Sequence, residues 1–181
     1  MKYVLLLLIP IYAIEHNISI APALNYTNWK EATTLGLGSL WDCGTYQPAI
    51  QLSFYSIISP NIFTGLQSVL SMGSQASTSC TVKNIYSYEY RVLAGFRHAY
   101  NNYETRLWWG VNYRQTNIIT NSISDPYGHV GPSWGVSYGH HHPRQNISWH
   151  WGVNITPGFY DYSAKLRQLP NSIISFIACE W

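Results

Sequence analysis

Apolar and polar residues alternate along most of this chain. The clearest stretch is Arg106 to Thr116, RLWWGVNYRQT. Leu107, Trp109, Val111 and Tyr113 fall on one face, and Arg106, Trp108, Gly110, Asn112 and Arg114 on the other. A period of two places side chains alternately on opposite sides of a β-strand. One face is bulky and uncharged. The other is rich in Gly, Asn and Arg and lacks the Lys/Glu mixture of a solvated sheet. Lipid on one side and a narrow polar lumen on the other explain that pairing of faces.

The same alternation recurs and predicts eight strands. The first runs over 32–41, where Thr33, Leu35, Leu37 and Trp41 oppose Thr34, Gly36 and Gly38. The others lie near 49–58, 62–72, 86–98, 106–116, 133–141, 147–155 and 172–181. Residues 14–30 contain Pro22 and the polar NYTN, and read as an irregular lead; a short strand at Ile18–Leu24 is the competing reading. Connections after strands two, four and six are short, and those after three, five and seven are long, including a polar segment reaching Pro132. Short turns on one side and long loops on the other belong to an up-and-down outer-membrane barrel. The organisation expected is therefore a signal peptide over 1–13, a lead over 14–30 and an all-β, eight-stranded antiparallel transmembrane barrel over 31–181. A ten-stranded barrel and a soluble lipocalin-like barrel are the alternatives.

Composition sharpens this. Only 10% of the 181 residues are charged and 15% are aromatic, against about 25% charged in ordinary soluble domains. There is no apolar run of 18 residues, so helical spanning is disfavoured. A soluble barrel would turn its Gly, Ser, Asn and Gln face to water with little charge to keep it soluble. The net charge of +2, with no basic cluster, gives no sign of nucleic-acid binding. Lys2, the apolar Val4–Ile11 and the small Ala13 form an export signal.

With its signal, its alternating strands and a final aromatic in IISFIACEW, the chain resembles small bacterial outer-membrane barrels of the opacity/adhesin type. The resemblance covers about 31–181 as a pattern. It implies that Trp181 serves as the recognition signal for the barrel-assembly machinery, with Ile177 and Ile173 in the matching alternation. It implies membrane lipid and lipopolysaccharide as surroundings, and a host or surface ligand for the external loops. Structural or surface-interaction work is the expected function. A narrow porin-like channel is the second reading, and a lipid A acyltransferase or deacylase the third.

The lumen is where charge must be paired. Counting back from the turn at Asn101–Asn102 sets Glu89 across from Arg114, Arg91 from Asn112, and Arg97 from Arg106. Two facing arginines require a carboxylate, and Glu180 has the right face and height. Glu180 is thus expected to reach both Arg97 and Arg106, and Glu89 to pair with Arg114. Trp41, Tyr113 and Trp134 are expected in the outer aromatic girdle, with Tyr100 and Trp181 in the inner one.

Other chemistry is sparse. His140, His141 and His142 form a run at a periplasmic turn, but neighbours on a strand point to opposite faces, and neither a Cys nor a carboxylate is close in sequence. A polar turn is the better reading, with no metal or cofactor. His150 reads as a lumen filler. The outer-loop candidates for a Ser–His–acid site are Ser133, His129, Asp125 and Asp161, and ordinary loop residues explain them better. Cys43 and Cys80 fall in the first two outer loops, in an oxidising compartment, and a disulfide between them is expected, leaving Cys179 unpaired.

Overall fold

A computed structural model describes residues 15–28, 44–74, 84–119, 124–142, 147–157, 160–161, 167–168 and 171–181. Among the described residues ten strands follow in chain order: β1 (Glu15–Asn28), β2 (Gly44–Ser59), β3 (Ile62–Ser74), β4 (Asn84–Tyr100), β5 (Tyr103–Ile119), β6 (Ser124–His142), β7 (Ile147–Thr156), β8 (Tyr160–Asp161), β9 (Arg167–Gln168) and β10 (Asn171–Glu180). Eight of them close a barrel in the order β1-β10-β7-β6-β5-β4-β3-β2, each antiparallel to its neighbours. The short β8 and β9 pair only with each other, between β7 and β10. This is the expected up-and-down meander.

Two element placements differ from the sequence reading. The segment read as a lead is the first barrel strand, and β1 pairs along its whole length with β2. Its alternation is regular: Asn17, Ser19, Ala21, Asn25 and Thr27 are buried, while Ile18, Ile20 and Leu24 face out. Pro22 and the polar NYTN resemble turn signals, but Pro22 faces outward, and Asn25 and Thr27 fit the polar inner face. The expected strand over 32–41 falls outside the described residues, and the barrel closes without it. The second difference is the length of the β5–β6 hairpin. Pairing continues to Ile119↔Ser124, so the segment before Pro132 is strand and not loop.

The orientation of the wall follows the alternation. Trp109, Val111 and Leu107 are about half exposed, whereas Trp108, Asn112 and Arg114 between them are at most 3% exposed, with Arg106. The outward band consists of branched aliphatics and aromatics on every barrel strand. The inward set is dominated by Ser, Asn, Gln, Arg and Glu. An apolar exterior around a polar interior is the inverse of a soluble barrel and belongs to a membrane barrel.

Tight hairpins lie at one end. Asn101, at φ 53°, turns β4 into β5 with Asn102; asparagine tolerates that left-handed backbone. Prolines mark where ladders stop. The β6–β7 ladder ends at Trp134↔Ile155. Continued by two steps, it would set Pro132 against Pro157, and neither has an N–H to donate. The β2–β3 ladder likewise begins at Ala49↔Ser71, just past Pro48.

Candidate functional site: the filled bore

Charged residues enter the bore because β4 and β5 alternate in phase across a two-residue turn. The register is Glu89↔Arg114, Arg91↔Asn112 and Arg97↔Arg106. Residues facing each other on one side of a ladder meet at their Cβ atoms, so these side chains converge inside the barrel. Three layers result.

The outer layer centres on Glu89, which is 1% exposed. Its carboxylate accepts from Arg91 Nη2 at 2.6 Å, Arg114 Nε at 3.0 Å, Asn112 Nδ2 at 3.1 Å and the Ser172 hydroxyl at 3.3 Å. Three N–H donors and a shared hydroxyl on one buried carboxylate are what an ion out of water requires. The Ser172 hydroxyl also lies 2.7 Å from Asn25 Oδ1, and Asn25 donates to the Ser71 hydroxyl at 3.0 Å. The layer therefore ties β4 and β5 to β1, β3 and β10.

The middle layer is apolar. Trp108, Tyr55, Phe63, Leu93, Phe176 and Ala178 are all buried and form one cluster inside the bore. The Trp108 ring lies across it, 6.3 Å from the Phe176 ring, with its indole N–H donating to Asn154 Oδ1 at 3.0 Å. Glycine makes the room. A Cβ built on Gly135 would sit 2.5 Å from the Trp108 ring, and a Cβ on Gly139 would run into the His150 imidazole. His150 is a buried filler, as its place in the alternation suggested.

The inner layer is ionic. Arg106 donates to both oxygens of Glu180, from Nη1 and Nη2, at 2.5 Å each. Asn17 Nδ2 adds a bond of 2.9 Å to the same carboxylate. The guanidinium also lies over the Tyr55 ring, 4.9 Å from its centroid. Arg97 does not reach Glu180. It pairs with Glu104 at 3.2 Å and Glu15 at 3.7 Å. Glu104 also binds Arg106 Nε, so it stands between the two arginines. The sequence reading looked for that carboxylate on the last strand. It overlooked Glu104, two positions before Arg106 and so on the same face.

Tyr55 links the layers. Its hydroxyl accepts from Gln67 Nε2 at 2.7 Å, and Gln67 Oε1 accepts from Arg91 at 3.4 Å. A column Glu89–Arg91–Gln67–Tyr55–Arg106–Glu180 therefore runs through the bore. Polar contacts and aromatic area fill it along its length.

The remaining candidates are dispersed. Tyr113 is outward beside Tyr90, and Trp134 is outward beside Trp109, two neighbouring aromatic pairs. Tyr100 is exposed at the end of β4, and Trp181 is outward beyond β10, with reciprocal backbone bonds to Ile18. Trp41, Cys43 and Cys80 lie outside the described residues. Cys179 is a free, half-exposed thiol on β10. Ser133 faces the bore and is buried. The side chains of His129, Asp125 and Asp161 are not among those described. His141 Nδ1 lies 2.9 Å from the Ser148 hydroxyl and His140 packs against Tyr103, so the histidine run points two ways. Among the described residues, no group of three His, Cys, Asp or Glu could hold a metal.

No protein-family model matches this chain, and no curated protein matches it in sequence. Solved structures do match. Neisserial surface protein A aligns over 91% of this chain and 95% of its own, with a TM-score of 0.63 at 8% identity. The outer membrane protein OprG of Pseudomonas aeruginosa aligns over 94% and 97%, with a TM-score of 0.60 at 9% identity. Ail, the attachment invasion locus protein of Yersinia pestis, was solved with the heparin analogue sucrose octasulfate; it aligns over 93% and 100%, with a TM-score of 0.54 at 12% identity. The chain therefore has the fold of the small eight-stranded outer-membrane β-barrels.

Proposed function

We propose that this protein is a bacterial outer-membrane barrel, exported by its first 13 residues, that works as a closed anchor for its external loops. The observation carrying this reading is the middle layer. A Trp ring, two Phe rings and a Tyr ring, each at most 5% exposed, cross a bore that eight strands already make narrow. Above and below them, side chains are tied by ion pairs and hydrogen bonds. Such an interior suits rigidity and works against a continuous column of water.

The surface role then belongs to the connections at the end opposite the tight hairpins. Ail, a barrel of the same fold, was solved in complex with a heparin analogue, which supports a ligand-engaging role for a barrel of this shape. The wall would contact membrane lipid and lipopolysaccharide, and Trp181 would be read by the barrel-assembly machinery. Lipid-modifying chemistry fits less well, because Ser133 is turned into the packed bore and away from lipid.

Single-channel recording in planar bilayers tests the reading. A closed anchor gives no discrete conductance steps after verified insertion. Reproducible steps from the purified barrel would replace it with the channel.

A further inference from the structure

Every barrel seam but one joins strands adjacent or nearly adjacent in sequence. The exception is β1 with β10, where the chain's two ends meet. The reciprocal backbone bonds between Ile18 and Trp181, 3.0 and 3.1 Å long, fix the phase of this seam. Even-numbered residues of β1 direct their N–H and C=O groups towards β10. Residue 22 is one of them, and it is proline. In this register Pro22 would face Ile177, yet the ladder runs to Ile20↔Cys179 and resumes only at Ala23↔Phe176. Against β2 the same stretch is paired without a break.

Pro22 therefore leaves the Ile177 carbonyl without its ladder donor, in the middle of the wall and on a strand that faces lipid. Hydrocarbon offers no substitute donor. Little else spans the gap. Behind it stand Ala21 and Ala178, both buried and too short to reach across the bore. The side-chain ties lie at the ends of the seam: Asn17 to Glu180 at 2.9 Å below, and Ser172 to Asn25 at 2.7 Å above.

We infer that the β1–β10 seam is the parting line of this barrel, the one junction that opens towards lipid while the others remain paired, and that Pro22 is the residue that makes it so. The inference concerns the wall and is independent of what the outer loops bind.

Amide hydrogen exchange on the full folded protein in lipid nanodiscs tests it. The reporters are the seam amides of Ile20, Leu24, Ile177 and Cys179. The references are Val92 and Val111, which face each other on β4 and β5. The seam amides should exchange about tenfold faster than the references or more. Pro22→Ala restores one donor and should slow them about fivefold, the effect of one net hydrogen bond, with Val92 and Val111 unchanged. Pro48→Ala, at the outer end of the β2–β3 ladder, should leave the seam as it was. Seam amides as slow as the references in the unaltered protein would overturn the inference, whether or not Pro22→Ala folds. So would a Pro22→Ala barrel with unchanged seam rates, or a Pro48→Ala barrel that slows the seam equally.

Discussion

Glu180, on the last strand, grips Arg106, on the fifth, through two bonds of 2.5 Å across the bore. Strands β6 and β7 separate these two along the wall. The pair is thus a strut across the barrel, not a ladder contact. Both side chains are 4% exposed. Removing one partner of a buried pair costs up to about 3–5 kcal/mol, and here less, because Glu104 still binds Arg106 Nε. Glu180→Gln should therefore lower the temperature at which the folded form is lost on heat-modifiability gels. Replacing Arg106 by Gln as well should recover part of the loss. An unchanged midpoint for Glu180→Gln would remove the strut from the account.

Glu89 carries two arginines, and its neutralisation should be the more damaging. Glu89→Gln removes the carboxylate that the buried Arg91 and Arg114 share. The loss in urea unfolding should be about 3–5 kcal/mol. Glu104 is partly exposed at 14%, so water can take its place in part. Glu104→Gln should cost clearly less. The reverse order would mean that the inner cluster, and not the Glu89 layer, is the main charged lock.

Gly135 and Gly128 make a matched pair of substitutions. A methyl on Gly135 meets the Trp108 ring at 2.5 Å, whereas a methyl on Gly128 comes no nearer than 3.4 Å to the Tyr113 side chain. Overpacking a tight interior costs about 1–3 kcal/mol. Gly135→Ala should destabilise by that amount, and Gly128→Ala should be close to neutral, in the same unfolding assay. Equal effects would show that Trp108 is not held against β6.

Trp181 separates assembly from stability. The residue is 56% exposed, so it adds little packing inside the barrel. Trp181→Ala should refold in detergent about as well as the natural chain but insert poorly in cells. That outcome supports its role as an assembly signal. Normal insertion would withdraw it.

Much of this is legible in the sequence, for a definite reason. Glu89, Arg91, Arg106 and Arg114 lie on strands joined by a two-residue turn, so their register follows from counting. The phase of Trp108 and Trp109 follows from the alternation of a bulky uncharged face with one of Gly, Asn and Arg. What counting does not supply is distance across the bore. Glu180 was placed by height alone, and Glu104 was missed because it shares a strand with Arg106. β1 was misread because Pro22 carries the weight of a breaker in sequence. In the barrel it sits at an outward-facing position on the closing seam, where only one bond is lost. The aromatic layer was hidden for another reason. Tyr55, Phe63, Trp108 and Phe176 are single rings on four different strands, and only closure of the barrel brings them together.

Trp108 and Trp109 give the sharpest test of the wall's orientation, since they are neighbours on β5 with 1% and 51% exposure. The measurement is tryptophan fluorescence in vesicles of brominated phosphatidylcholine, with each residue replaced by Phe in turn. Trp109→Phe should remove a lipid-quenched component, and Trp108→Phe should remove an unquenched one. If the quenched component disappears with Trp108 instead, the apolar face is turned inward and the membrane barrel is the wrong description.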